Sequence, residues 1–272
     1  MDKLAGIPRQ IGPSVMPTMQ AYEPLLRANA SAIRSTKSDG LAHANIGHFF
    51  AERLGYTTVI PDYRLLSHGA RFPSGGEDVS LVIDWLREVL TKQNGYRNID
   101  IFIVGNSAGG IHLSTYLFTP DFAASRSKVM TSDSEASVVL RGVIFLSVPF
   151  NFRQGDPSRD QVLQEYYGDE IDSRAPQGLL KAAMLQDPDA VLPNVTAMLL
   201  NGSLDPDDEI MDPRDEFLHE WKLLDERSRE RLTVAMMEGH NHISPALSLG
   251  TNIEMEEAWG YQVGEFVDSL RS

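Results

Sequence analysis

Cysteine is absent from the 272-residue chain. No disulfide, thiolate nucleophile, thiolate-bound zinc or cysteine-ligated iron–sulfur cluster can be built from it. No apolar run approaches the ~20 residues of a membrane-spanning helix. The opening MDKLAGIPRQ has no apolar stretch behind its charges, so no secretory signal is expected. The closing VDSLRS carries no retention or prenylation pattern. Positive charge is scarce: 24 Lys and Arg against 38 Asp and Glu leave a formal net charge of −14. Such a surface repels phosphate backbones, so no nucleic-acid partner is expected. These absences point to a soluble, cytoplasmic protein. What is present is an ordinary globular composition, 42% hydrophobic and 23% charged, in a chain long enough to bury a core without staples.

Regular patterning begins near residue 41. LAHANIGHFFAERL has helical spacing and ends at Gly55. YTTVIPDY is a short β-branched run and predicts a strand. Residues 75–94 place Val82, Trp85, Leu86, Val89 and Leu90 at helical spacing. IDIFIVG is almost continuously apolar, as a strand covered on both faces would be. GNSAGGIHLSTYLF then turns and continues as a helix, and VVLRGVIFLSV, VTAMLLNGS and LTVAMMEG predict three further strands. Phe217, Leu218, Trp221 and Leu224 share one helical face. Met255, Trp259, Val263, Phe266 and Leu270 do the same in a closing amphipathic helix.

Before residue 41, Pro8, Pro13, Pro17 and Pro24 predict irregular chain, and AYEPLLRANASAIRSTKSDG offers at most a short helix or strand. Residues 120–137 read as a polar, Ser-rich exposed loop. Residues 150–193, broken by Pro157, Pro176, Pro188 and Pro193, read as an insertion. Alternating strands and helices predict an α/β fold in one domain over residues 1–272, with a mostly parallel central sheet and helices on both faces. Ligands of such sheets bind at the carboxyl ends of the strands.

Chemistry concentrates there. Gly105-Asn106-Ser107-Ala108-Gly109, followed by Gly110, fits G-x-S-x-G between an apolar strand and a helix. A tight strand-to-helix turn should force Ser107 into a strained conformation with its hydroxyl exposed. The flanking glycines should avoid collisions with neighbouring strands, and the Ala108 N–H should point at a developing oxyanion. A serine needs a general base, and the template order is serine, acid, histidine. Asp205 in NGSLDP follows the fourth predicted strand, where the orienting carboxylate belongs; Asp207 and Asp208 read as a solvated acidic loop. Glu238-Gly239-His240-Asn241-His242 follows the fifth. His242 is favoured as the base by its Gly-x-x-His spacing, with His240 as the alternative. No third ligand accompanies the His-x-His pair at metal-binding spacing, so no metal is expected. His43, His48 and His112 read as surface or packing residues.

These residues resemble the α/β-hydrolase superfamily, and more narrowly its hormone-sensitive-lipase-like and kynurenine-formamidase-like esterases. A second block agrees: Pro61-Asp62-Tyr63-Arg64-Leu65, Phe72-Pro73, Asp78 and Trp85-Leu86 resemble that group's strand-four-to-helix segment. The resemblance covers about residues 40–270. It implies an α/β-hydrolase fold, hydrolysis of esters or amides without a cofactor, and a cap formed by residues 150–193 over the acyl or leaving-group pocket. One departure is large. The group's His-Gly-Gly motif, whose backbone N–H groups supply most of the oxyanion hole, is missing. His68-Gly69 lies after the PDYRLL block and does not replace it. The apolar third strand is missing too, because Tyr22-Glu23-Pro24-Leu25-Leu26 runs almost directly into IRSTKSDG. The fold is therefore expected to be shortened at its N-terminal strands, with the middle of the sheet open unless ASAIRS supplies a replacement or the sheet rearranges.

The expected function is a serine hydrolase that cleaves a small or medium ester or amide through an acyl-enzyme, as a carboxylesterase or arylformamidase does. Ser107 is its nucleophile, His242 its base, Asp205 the orienting acid and the Ala108 N–H an oxyanion donor. Two alternatives stand beside it: a binding protein of this fold with weak or no turnover, and a catalyst of acyl transfer or lactone closure. Neither the substrate-binding residues nor the oligomeric state has a signature in the sequence.

Overall fold

Four of the five predicted strands form. They are β1 (Ile99–Asn106), β2 (Val138–Leu146), β3 (Thr196–Gly202) and β4 (Leu232–Met237). They make one sheet in the order β1-β2-β3-β4. The structure is a computed structural model that describes residues 2–28, 43–93, 99–130, 138–187, 191–224 and 226–271. In chain order its helices include α1 (Ile11–Ala28), α2 (Ala44–His48), α3 (Ser74–Arg87), α4 (Ala108–Phe118), α5 (Ala123–Ser127) and α6 (Asp160–Tyr167). These are followed by α7 (Ile171–Arg174), α8 (Pro176–Gln186), α9 (Asp212–Trp221), α10 (Glu226–Glu230), α11 (Pro245–Ser248) and α12 (Glu254–Leu270). The chain divides into two compact units. The first is Met1–Pro61, Leu200–Pro206 and Ala235–Ser269; the second is Asp62–Leu199, Asp207–Val234 and Leu270–Ser272.

In the second unit β1 pairs β2 in parallel, Ile99 opposite Val138 and Asn106 opposite Leu146. The register slips between Ile101 and Phe102, which leaves Arg141 as the extra residue. Its guanidinium reaches the Asp100 carboxylate at 2.7 Å, so the bulge carries an ion pair. β2 is buried along Val143–Leu146 and packs with Leu113, Tyr116 and Leu117 of α4 and with Phe217 and Trp221 of α9. Phe150 and Phe217 stack at 4.0 Å in this core. The segment expected to be an exposed loop, 120–137, instead buries Phe122, Val129 and Met130 and contains α5, while 131–137 lie outside the described residues.

In the first unit the apolar stripe of α12 turns inward through Trp259, Val263 and Phe266, whereas Met255 is exposed. Phe49 meets Tyr261 edge-on at 5.2 Å, and Phe50 meets Trp259 at 6.2 Å. The helix predicted over LAHANIGHFFAERL runs as α2 and a following π turn, Phe49–Arg53, and ends at Gly55 in the left-handed region (φ 71°).

Further expectations are corrected. YTTVIPDY does not form a strand: Val59 and Ile60 are exposed and Tyr56 is tied to α12 through Gly264 O and Asp268. β-branched residues favour a strand only where a ladder partner exists, and among the described residues none pairs with this run. Among the described residues β1 is therefore the edge of the sheet, and Val104 is 40% exposed, against the expectation of a strand covered on both faces. On α3 the inward face is centred on Ile83, which leaves Trp85 exposed.

The last correction concerns the N-terminus, where the 18-residue helix α1 forms in place of irregular chain. Pro13 sits in its first turn, where a missing N–H costs nothing. Pro17 and Pro24 lie further in, where each proline costs about 3 kcal/mol. Propensity therefore does not hold this helix. Its buried stripe Ile11, Ser14, Thr18 and Tyr22, at spacings of three and four, is mostly polar. Tyr22 Oη donates to Glu256, and Leu4, Tyr22 and Leu247 pack together. ASAIRS, the candidate replacement strand, lies outside the described residues.

Candidate functional site

β1 ends in a turn that no extended or helical residue could make. Ser107 has φ 50° and ψ −116°, a strained conformation for a side-chain-bearing residue, and sits directly before α4. Its N–H donates to Leu146 O at 2.9 Å, and its carbonyl accepts from Gly110 N at 2.9 Å, so the backbone on both sides is fastened. The glycines around it do different work. A methyl on Gly105 would stand 2.6 Å from the Gly110 Cα, and one on Gly110 would stand 2.1 Å from Val148 Cγ2. A methyl on Gly109 would meet nothing within 4 Å. The crossing thus needs Gly105 and Gly110, not the Gly105–Gly109 pair that the five-residue motif suggests. Ala108 opens α4, where helix geometry supplies no acceptor for its N–H.

The acid and histidine loops lie in the first unit. Asp205 is fully buried, and its Oδ2 accepts from Gly202 N at 2.8 Å. A methyl on Gly202 would stand 2.3 Å from His240 O, so glycine lets the two loops approach. They are joined by Ser203 N to Met237 O (3.0 Å), Leu204 N to His240 O (2.9 Å) and Gly239 N to Ser203 Oγ (2.7 Å). His242 Nδ1 stands 3.8 Å from Asp205 Oδ1. That is ion-pair range rather than hydrogen-bond range. Asp207 is exposed.

His240 is placed differently. Its Nδ1 lies 2.9 Å from Ser244 Oγ, and burial pushes its pKa down to about 4 against the pull of the Glu256 charge. The two histidines of the loop therefore face different partners, His242 toward the carboxylate and His240 toward a hydroxyl. Burial alone would raise the Glu256 pKa, but Lys3 and Tyr22 outweigh it and keep the carboxyl low.

Between the histidines, Asn241 organises the loop. Its Oδ1 accepts from Ile243 N (3.1 Å) and Ser244 N (2.9 Å), and Ser244 Oγ accepts from Asn241 N (3.0 Å). This reciprocal pattern closes the loop on itself just before α11. Asn241 Nδ2 then donates to Thr18 Oγ1 on α1 at 2.8 Å. Sequence reasoning missed Asn241, Ser244 and Thr18. The Asn-x-x-Ser-Pro spelling just before a short helix was a readable signal for the first two; nothing in the sequence marks the third.

In the second unit His112 packs. Its ring meets Tyr63 at 4.8 Å and Tyr166 at 5.9 Å, and it fills the space that a Gly75 side chain would need. Burial lowers its pKa. The PDYRLL block is a clamp: Arg64 reaches Asp78 and Glu77, each at 2.7 Å. Among the described residues no three His, Cys, Asp or Glu side chains gather as a metal site, and no helix is long and apolar enough to cross a membrane.

The BD-FAE family model matches residues 33–195. No curated protein matches the sequence. Among solved structures, the chain is similar to carboxyl esterase 2 (TmelEST2) of the mycorrhizal fungus Tuber melanosporum, at 13% identity over 85% of this chain and 73% of that one, with a TM-score of 0.53. It is also similar to the carboxylesterase Cest-2923 of Lactobacillus plantarum WCFS1, at 13% identity over 76% of this chain and 72% of that one, with a TM-score of 0.52. At such identities the likeness is one of fold.

Proposed function

The chain belongs to the BD-FAE family, a family of α/β hydrolases, and from that premise we propose that it is a serine hydrolase acting on a small or medium ester or amide. The observation that carries this reading is the strained backbone of Ser107 at the turn from β1 into α4. Strain of this kind persists only where the surroundings enforce it, and an exposed nucleophile is its usual return. The placement of His242, rather than His240, against a buried carboxylate supports the assignment of base and acid.

In the proposed reaction Ser107 Oγ attacks the substrate carbonyl carbon. His242 takes the hydroxyl proton and returns it to the leaving alcohol or amine. Asp205 holds the imidazole tautomer and stabilises the imidazolium. The Ala108 N–H donates to the tetrahedral oxyanion. Water, deprotonated by His242, then releases the acid and restores Ser107. No cofactor enters any step. Residues 150–193, which include α6, α7 and α8, serve as the cap.

The missing His-Gly-Gly motif favours slow turnover as a second reading. Loss of one oxyanion donor lowers rate by roughly a hundred- to a thousand-fold. Hydrolysis of p-nitrophenyl acetate and butyrate by the wild type and by Ser107→Ala tests the proposal. Activity that vanishes in the variant supports it. A folded wild type no faster than the variant, and unlabelled by a fluorophosphonate, overturns it and leaves a binding protein of this fold.

A further inference from the structure

The loop that presents His242 is tied, through the Asn241 side chain, to the N-terminal helix. We infer that α1 is a brace for the histidine loop, and that Thr18 and Asn241 are positioning residues for His242. The inference rests on the reading of His242 as general base, and it adds an element that the G-x-S-x-G, acid and histidine motifs do not contain.

The bonds of Asn241 divide cleanly. Its amide oxygen closes the loop on itself, accepting from Ile243 and Ser244, while its amide nitrogen leaves the loop for Thr18 Oγ1. Both residues are buried, Asn241 at 2% and Thr18 at 0% exposure. Water is therefore kept from replacing the bond, and a buried amide N–H without an acceptor is unfavourable enough to shift the loop. Asn241 lies between the two imidazoles in sequence, so any rotation of its peptide planes is passed directly to His242.

The helix is suited to this role by what it buries. A typical surface helix buries an apolar stripe; α1 buries Ser14, Thr18 and Tyr22. Ser14 bonds within the helix, to Ile11 O at 2.9 Å. Thr18 and Tyr22, one turn apart, reach outward, the first to Asn241 and the second to Glu256, which also pairs with Lys3 at 2.5 Å. Glu256 belongs to α12, and its charge faces His240. Two successive turns of α1 thus hold the two ends of one buried polar network, with His240, Asn241 and Ser244 between them. Burial and the hydrogen bond to Glu256 keep the Tyr22 phenol protonated, so it remains a donor.

The test is Thr18→Val, which keeps the shape and removes the acceptor, beside Thr18→Ser, which restores it. Ser14→Ala is the control on the same helix. Thr18→Val should lower kcat on p-nitrophenyl butyrate by about ten- to a hundred-fold, as a misplaced catalytic group does, with KM nearly unchanged. Thr18→Ser should recover most of the loss, and Ser14→Ala should stay near the wild type. Hydrogen exchange at the Ile243 and Ser244 amides should accelerate in Thr18→Val. If Thr18→Val does not accumulate in folded form, Thr18→Ala, which cannot clash, takes its place.

A folded Thr18 variant with wild-type kcat and wild-type exchange at those amides overturns the brace, even if its melting temperature falls. His242→Ala separates this failure from failure of the underlying reading. If His242→Ala abolishes turnover and Thr18→Val does not lower it, only the brace falls. If His242→Ala leaves turnover intact, the catalytic reading falls and takes the brace with it. A folded wild type that neither turns over ester nor takes a fluorophosphonate label overturns the catalytic reading and the brace with it.

Discussion

The elbow around Ser107 and the loops around Asp205 and His242 are held by different physics. The elbow is shaped by exclusion. Gly105 and Gly110 are in such close approach that neither tolerates a methyl group, and the serine between them has no relaxed conformation to adopt. The acid and histidine loops are shaped by attraction. Nearly every polar atom of Asn241 is in a directed bond, and the loops exchange three hydrogen bonds with each other. Steric enforcement fails when an atom is added, and hydrogen-bonded enforcement when one is removed. Gly202 is the exception within the loops, because it is a point of exclusion inside a hydrogen-bonded region.

That contrast can be broken by substitution. The largest effect is expected from Gly105→Ala. The obstacle to its methyl is backbone, which cannot swing aside, so the loss should reach about 3 kcal/mol or more. Urea unfolding measures it, and a loss below about 1 kcal/mol would show that the elbow is not enforced sterically.

The next effect belongs to the hydrogen-bonded region and depends on pH. A histidine titrates at 6.5 in the unfolded chain, and burial pushes His240 down to about 4. Between those values the unfolded chain binds a proton that the folded chain refuses. Stability is untouched by this group above pH 6.5 and is lost as pH falls toward 4, by on the order of 3 kcal/mol. His240→Gln should flatten that part of the urea-midpoint profile. Equal slopes in both proteins would assign the acid sensitivity to other groups. The smallest effect is expected at Gly109→Ala, within about 0.5 kcal/mol of the wild type, because its methyl meets no atom. A large destabilisation there would restore the G-x-S-x-G spelling as the true steric rule.

Much of this was readable in the residues. IDIFIVG, VVLRGVIFLSV, VTAMLLNGS and LTVAMMEG become β1 to β4 because long apolar runs bounded by turns have few alternatives to burial in a sheet. YTTVIPDY was misread for the reason that β propensity is contextual: without a neighbour to pair, its Val59 and Ile60 face solvent. α1 was misread because its prolines argue against helix locally, and what sustains it is a set of bonds to residues more than 200 positions away. Asn241 has no signature in composition or spacing that sets it apart from the histidines on either side. Its importance lies in what each end of its amide reaches.

What the sequence determined by itself is the alternation of elements, the strand-to-helix turn at Ser107 and the order of serine, acid and histidine candidates along the chain. Each depends on residues close together in sequence, where spacing dictates geometry. The tertiary structure decided which histidine faces Asp205, which glycines the elbow requires and that the proline-bearing N-terminus is a helix bonded to the histidine loop. Those outcomes turn on contacts between distant residues, and a hydrogen bond of 2.8 Å or a gap too small for a methyl group becomes a property of the molecule only once folding has brought both partners into place.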